Sequence, residues 1–365
     1  MDKSRTREAF MRRALDLARR GWGWTRPNPL VGAVVVRDGV VIGEGYHAVC
    51  GGPHAEVVAL LEAGERARGA DLYLNLEPCV DFPGKKTPPC TDAILEAGIR
   101  RVVVATADPN PCVDGRGLDR LRRGGVEVVE GVLADEARRL NDVFFHWIVH
   151  QTPFVVLKLA LSLDGKIATR TGKSRWITGT PSRQAVHALR ARHGAILVGV
   201  GTVFADDPSL TMREAEGPQP LRVVLDSRGR IPLGAKVLSS DARTAIATTD
   251  RMPLAVEADL RKTGAEVWRL PENGDRVDLK ALLDRLGEET DSLLVEGGAE
   301  VAWSFLSQRL VHKIALFYAP VILGGQDAVP SVGGEGVEEP AQAIRVRDLA
   351  IERVGEDFLV TGYVA

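Results

Sequence analysis

Apolar residues along the first 150 positions alternate between a helical and an extended spacing. Phe10, Ala14, Leu17 and Ala18 recur at helical intervals within 4–20, and the pattern stops at Gly21, which predicts an opening helix. The apolar runs 31–36 and 40–43 flank Arg37-Asp38-Gly39, which predicts a hairpin turning at Asp-Gly. Helices are expected at 55–67, 91–97, 117–123 and 134–149, with strands at 71–76, 101–106 and 126–130. Strands spaced by helices imply a layered α/β domain containing parallel pairs. His150-Gln151-Thr152-Pro153 breaks the last helix, because proline cannot continue it. Two domains are therefore expected, 1–150 and 151–365. The second opens on a strand at 154–160 and continues with a helix at 182–192, strands at 195–199 and 221–226, and a weaker alternation. A strand at 292–295, a helix at 299–309 and a strand at 313–319 come next. The last 20 residues hold two strand candidates and no helix, which predicts an antiparallel sheet edge.

The length of 365 residues agrees with two domains, and 45% apolar with 26% charged residues is the balance of a folded globular chain. Lys and Arg number 47 against 49 Asp and Glu, a net charge of −2, so no basic field exists to hold a nucleic acid backbone. The opening twenty residues are charged throughout and lack the apolar run of a signal peptide. No stretch approaches the ~20 apolar residues of a membrane-spanning helix. Four cysteines in so long a chain do not make a disulfide framework, and a cytoplasmic location is expected.

Three of those cysteines and one well-placed histidine fall in the first 90 residues. His54-Ala55-Glu56 opens a helix, and Pro78-Cys79 through Pro89-Cys90 links a strand to the next helix. A catalytic zinc takes about three protein ligands and keeps one position for water, and His54, Cys79 and Cys90 supply three. Glu56 stands about 200° around the helix from His54, so the two divide the labour. The histidine binds metal, and the glutamate reaches the bound water as proton carrier. Zinc lowers the pKa of that water towards ~7, and the glutamate then delivers the proton to a departing amine. Cys90 lies just ahead of Thr91-Asp92, where a helix begins, so its thiolate also gains from the helix dipole. A lone histidine or cysteine is more often a packed residue, but this ordered set is not. Cys50, four residues before His54, is an alternative ligand, and Cys112 is expected to pack.

In the second half, the stretch 197–204 begins like a dinucleotide-binding glycine loop but has Phe204 where the third glycine belongs. Val295-Glu296-Gly297-Gly298-Ala299 is a better signal, an apolar strand running through two glycines into a helix, where backbone N–H groups can meet a phosphate. Its alternative is an ordinary tight connection. Trp176, in Ser174-Arg175-Trp176-Ile177-Thr178, reads first as a core aromatic, the usual place of an isolated tryptophan. Lys158 sits within an apolar strand, where a buried lysine needs a partner.

H-x-E followed by P-C and a second cysteine is the signature of zinc nucleobase deaminases. With Arg26-Pro27-Asn28-Pro29, Gly45-Tyr46-His47, Leu76-Glu77-Pro78-Cys79, Thr87-Pro88-Pro89-Cys90 and Asp108-Pro109-Asn110-Pro111, the chain resembles the bacterial bifunctional riboflavin-biosynthesis deaminase–reductases through residue 365. The resemblance implies an α/β protein with an N-terminal cytidine-deaminase-like three-layer domain and a C-terminal dihydrofolate-reductase-like domain. It implies Zn2+ at His54, Cys79 and Cys90, catalysis by Glu56, and a phosphorylated pyrimidine substrate contacted by Asn28, His47, Asp108 and Asn110. For the second domain it implies NADPH near Ala160, Trp176, Thr202, Asp206, Ser227, Gly298, Ala299, Glu300, Val301, Ala302, Trp303 and Ser304. Substrate is expected at Ser174, Arg190, Leu210, Arg213 and Glu296, with Lys158 and Glu296 orienting the sugar. One departure stands out. The loop between the cysteines has ten residues, two more than the family pattern, with Asp81 where a histidine is usual, and Lys85 or Lys86 is left to meet the phosphate. A homo-oligomer is expected, with no nucleic acid or membrane partner. RNA editing and a structural zinc site are the rival readings; neutral charge weighs against the first and Glu56 against the second.

Overall fold

The computed structural model describes residues 3–83, 85, 87–213 and 217–365. Its contacts divide the chain into Met1–Gln151 and Thr152–Ala365. The first unit runs α1 (Lys3–Arg19), β1 (Gly32–Arg37), β2 (Val40–Tyr46), α2 (Ala55–Ala63), β3 (Asp71–Leu74), α3 (Cys90–Glu96), β4 (Arg101–Val104), α4 (Arg116–Arg123), β5 (Glu127–Glu130), α5 (Ala134–Leu140) and α6 (Asp142–His150). The sheet order is β2-β1-β3-β4-β5, antiparallel across β2, β1 and β3 and parallel from β3 to β5.

Alternation along the strands supplies both faces of this sheet. Val35, Leu72, Leu74, Val102 and Val104 pack with Ala59, Ile94, Leu118 and Leu121 of α2, α3 and α4. Val34, Val36, Tyr73 and Val103 pack with Met11, Ala14 and Leu15 of α1 and Ala137 of α5. The result is the three-layer domain expected. Two glycines bring α2 onto β2: a Cβ on Gly45 would stand 2.4 Å from the Ala55 carbonyl oxygen, and one on Gly43 2.3 Å from that of Ala59.

Two helices differ from the sequence pattern. The helix expected over 55–67 ends at Ala63 and tightens into a 3₁₀ turn, Gly64–Ala67. The helix expected over 134–149 breaks at Asn141. Asn141 is buried, and its side chain leaves the helix pattern to hold the main chain of Leu30, accepting from the amide at 2.8 Å and donating to the carbonyl at 2.9 Å. Asn75, fully buried just past β3, donates to the same carbonyl at 2.8 Å and accepts from Gly32 N at 2.8 Å.

The second unit runs β6 (Phe154–Ser162), β7 (Lys166–Ala168), α7 (Thr180–Arg192), β8 (Ala195–Gly199), α8 (Val200–Asp206), β9 (Leu221–Leu225), β10 (Thr244–Thr248), α9 (Leu254–Lys262), β11 (Glu266–Arg269), β12 (Glu272–Asn273), β13 (Arg276–Val277) and α10 (Leu279–Gly287). It closes with β14 (Ser292–Val295), α11 (Ala299–Ser307), β15 (Lys313–Ala319), β16 (Val329–Pro330), β17 (Val346–Val354) and β18 (Asp357–Val364). Nine strands form one sheet, β11-β10-β9-β8-β14-β6-β15-β18-β17. It is parallel from β11 to β15, and β18 and β17 add an antiparallel edge. The inner strands are apolar on both faces, as helix-covered parallel strands must be; β8 and β14 are buried at every position. Among the described residues, no helix is long and apolar enough to cross a membrane.

Candidate active sites

His54 is the residue that precedes α2, Cys79 lies in the loop leaving β3, and Cys90 is the first residue of α3. The sequence pattern placed Cys90 one step ahead of that helix; it is instead its first turn. The three ligand atoms lie within 4.8 Å of one another, with His54 Nδ1 at 3.1 Å from Cys90 Sγ and 3.5 Å from Cys79 Sγ. Tetrahedral zinc with ordinary bond lengths separates a nitrogen and a sulfur ligand by about 3.6 Å, so this donor set fits a zinc ion. Cys50, the alternative ligand, is exposed and outside the cluster; Cys112 is exposed too, so it does not pack as expected.

Charge is shared unevenly among these groups. Hydrogen bonds from Cys90 and His54 pull the Cys79 thiol well down, and the same contact with Cys79 pushes the Cys90 thiol up. The hydrogen bond with Cys79 raises His54 against the effect of burial. Glu56 is buried, with 3% exposure, and its carboxyl meets the Cys90 thiol. Burial, then the charge of Cys79, raises its pKa, which moves a carboxyl towards the range useful for proton transfer near neutrality.

The other first-domain residues gather around this cluster. His47 is buried, with its ring edge-on to that of His54 at 5.4 Å. Its Nδ1 donates to the Pro53 carbonyl at 3.0 Å, and burial lowers its pKa, so Nε2 accepts from Asn28 Nδ2 at 3.2 Å. Asn110 Oδ1 accepts from Cys112 N at 3.0 Å, and Asp108 Oδ1 from Asn110 N at 2.8 Å. Burial raises Asp108 to about 7, with the charges of Glu77 and Cys79 acting in the same direction against the Asn110 amide. Lys85 Nζ donates to Thr87 Oγ1 at 2.9 Å, itself 3.4 Å from His54 Nε2. Lys86 lies outside the described residues.

In the second unit a cavity of about 700 Å³ opens at the ends of β6, β8 and β14. Lys158, Ala160, Ser174, Trp176, Arg190, Thr202, Asp206, Leu210, Arg213, Glu296 and Gly298 all line it. Glu296 is the hub. Its carboxylate accepts from Arg190 Nε at 2.7 Å and Nη2 at 3.0 Å and from Lys158 Nζ at 3.3 Å. Burial would raise its pKa, but the charges of Arg190 and Lys158 outweigh it and hold the group at about 2. Ser174 Oγ donates to Asp206 at 2.7 Å. Trp176 is no core aromatic: it is 69% exposed, with the guanidinium groups of Arg183 and Arg175 at 4.6 and 5.7 Å from its ring. A Cβ on Gly298 would stand 3.5 Å from Thr202 Oγ1, so the start of α11 meets Thr202 across open backbone.

Other expected cofactor residues stand apart from the cavity wall. Ser227 Oγ accepts from Val277 N at 3.1 Å. Ala299 and Val301 occupy the first turn of α11, Ala302 is in the core, and Ser304 donates to the Glu300 carbonyl at 2.8 Å. Glu300 accepts from Gly334 N at 3.3 Å, and a Cβ on Gly334 would meet the Trp303 ring, so these two side chains face the 333–334 segment. The sequence reading missed Arg183, His187 and Lys236, which share the cavity wall. Charged residues on a helix or loop carry no periodic signal that separates them from a solvated face.

Fold and sites together define a two-domain α/β enzyme with a deaminase-type metal cluster in one half and a cavity lined by charged and polar side chains in the other. Residues 4–106 match the family of the cytidine and deoxycytidylate deaminase zinc-binding region, and residues 153–360 match the RibD C-terminal domain. The riboflavin biosynthesis protein RibD of Actinobacillus pleuropneumoniae is 44% identical over 98% of this chain and 95% of its own. That of Aquifex aeolicus is 45% identical over 96% of each chain. Among solved structures, Acinetobacter baumannii RibD superposes with a TM-score of 0.87 at 37% identity over the full length of both chains. The diaminohydroxyphosphoribosylaminopyrimidine deaminase/5-amino-6-(5-phosphoribosylamino)uracil reductase of Thermotoga maritima gives 0.85 at 39% identity over 99% of both. The chain belongs to the RibD family, the bifunctional deaminase–reductases of riboflavin biosynthesis.

Proposed function

We propose that residues 1–150 hydrolyse the 2-amino group of 2,5-diamino-6-(5-phosphoribosylamino)pyrimidin-4(3H)-one. Residues 151–365 then reduce the ribosyl side chain of 5-amino-6-(5-phosphoribosylamino)uracil to ribityl. The observation that carries the first step is Glu56, buried against a cluster of one imidazole and two sulfurs. His54, Cys79 and Cys90 would hold a zinc ion, which would supply a water acidified to a pKa of ~7. Glu56 takes a proton from the water as its oxygen bonds to C2 of the ring, then passes it to the amine nitrogen as the C–N bond breaks and ammonia leaves. Asn28 has an amide hydrogen engaged by His47, which leaves its carbonyl oxygen to accept from a ring N–H. Asn110 has its carbonyl engaged by Cys112 N, which leaves its NH₂ to donate. Asp108 completes this wall, and Lys85 or Lys86 meets the phosphate.

For the second step NADPH supplies the hydride. Lys158 and Glu296 orient the sugar, Arg190 and Arg213 bring positive charge to the ribose phosphate, and Ser174 and Leu210 complete the substrate side. Asp206, Ala160, Trp176, Thr202, Ser227 and the segment Gly298, Ala299, Glu300, Val301, Ala302, Trp303 and Ser304 form the cofactor side. The protein acts in the cytoplasm without a nucleic acid or membrane partner, and as a homo-oligomer. Supporting the last point, β17 is a nine-residue edge strand exposed along nearly all its length, with Leu349 60% and Ile351 70% exposed. So long an open edge invites pairing with another strand.

Zinc-loaded wild type should release ammonia from the diaminopyrimidine phosphate. Glu56→Ala should keep its zinc and its NADPH oxidation with the deaminated substrate, and release none. Release by the variant at the wild-type rate removes Glu56 from the mechanism; a zinc-loaded wild type that releases none overturns the reaction.

A further inference from the structure

The carboxylate of Glu77 accepts four main-chain N–H groups from distant parts of the first unit. Oε2 takes those of Asp108 at 3.1 Å and Gly115 at 3.0 Å, and Oε1 those of Gly117 at 2.8 Å and Leu118 at 3.3 Å. The residue is buried, with 3% exposure, and its own amide donates to Thr106 O at 3.0 Å. Gly117 makes the approach possible: a Cβ there would stand 2.2 Å from the Pro78 carbonyl oxygen and 3.0 Å from Glu77 Oε1. One side chain thus ties the start of α4 and the segment that bears Asp108 and Asn110 to the strand exit leading to Cys79. Only a carboxylate accepts on both ends; an amide turns one end into a donor facing N–H groups.

We propose that Glu77 is a positioning residue of the deaminase, fixing the distance between the metal ligands and the Asp108–Asn110 wall that recognises the pyrimidine. The inference rests on the deaminase reading given above, and it assigns Glu77 no contact with substrate or metal. Cys79 is held separately, by its contacts with His54 and Cys90, so loss of the Glu77 clamp should displace the recognition wall and spare the cluster.

Glu77→Gln in the full chain tests this. Its zinc content and its reductase kinetics should equal those of wild type. The KM of ammonia release should rise about tenfold with kcat nearly unchanged, the signature of lost ground-state positioning. Amide hydrogen exchange over 106–118 should quicken, while peptides containing His54 and Cys90 exchange as before. Gly117→Ala leaves the carboxylate in place and pushes α4 outward, so it should shift KM and exchange in the same direction even if Glu77→Gln folds poorly. Unchanged KM and unchanged exchange in both variants would overturn the proposal, as would loss of zinc together with kcat at constant KM. If wild type itself releases no ammonia, the deaminase reading falls, and exchange over 106–118 alone still decides whether Glu77 is the clamp.

Discussion

Glu296 keeps its charge inside the protein because two cations stand against it. Its folded pKa of about 2 lies below the ordinary value of 4.5, so the stability it contributes is whole above about pH 4.5 and is lost as pH falls towards 2. Unfolding measured between pH 5 and 2 should show a wild-type loss of about 3 kcal/mol that Glu296→Gln lacks. The variant should also be weaker at pH 7, by about 3–5 kcal/mol, since Lys158 and Arg190 are then buried without a counter-charge. Equal acid slopes in the two proteins would refute this. Lys158 was legible in the sequence, because a lysine within an apolar strand must find a partner. Its partner lies 138 residues away, and no local pattern reaches so far. The metal ligands were legible for the opposite reason: cysteine and histidine are scarce, so their order along the chain is itself informative. Glu77 and Asn75 were not, since one buried polar side chain at a strand end looks like any solvated one until its partners are known.

Helix α2 sets the first site in place by lying on β2, and it can do so because Gly43 and Gly45 carry no side chain. Gly45→Ala inserts a methyl group 2.4 Å from the Ala55 carbonyl, beside both His54 and Glu56. Competition with a chelator should show weaker zinc binding by this variant, and its melting temperature should fall; zinc affinity equal to wild type would mean that α2 does not position the ligand. At this scale the periodicity read well wherever an element buries one apolar face. It failed at element ends. The break at Asn141 is set by a tertiary demand, satisfying the main chain of Leu30, and not by helix propensity, and the turn at Gly64 leaves the apolar rhythm of 55–67 almost intact. Between 227 and 290 short strands and short helices share one window, so neither period dominates, although β10, α9, β11 and α10 are all present.

The antiparallel edge of the large sheet was legible from the last 20 residues, where two extended runs follow without a helix between them. Its exposure was not, since the consecutive apolar residues Leu349, Ala350 and Ile351 of β17 read like a segment that a sheet would bury. If a second copy covers this edge, wild type should sediment as a multiple of 39.4 kDa and Ile351→Arg as a single chain. Single-chain mass for wild type would refute the oligomer. The two units also differ in when they can close during synthesis. In the first, Asn141 must emerge before the chain around Leu30, 111 residues earlier, has its hydrogen bonds. In the second, Asp357, eight residues from the final Ala365, supplies acceptors to Gly179 at 2.8 Å and to Ser182 at the start of α7. A ribosome therefore finishes one half well before the other, and a chain cut short before Asp357 could complete its amino half while Gly179 and Ser182 of its carboxyl half lack this acceptor.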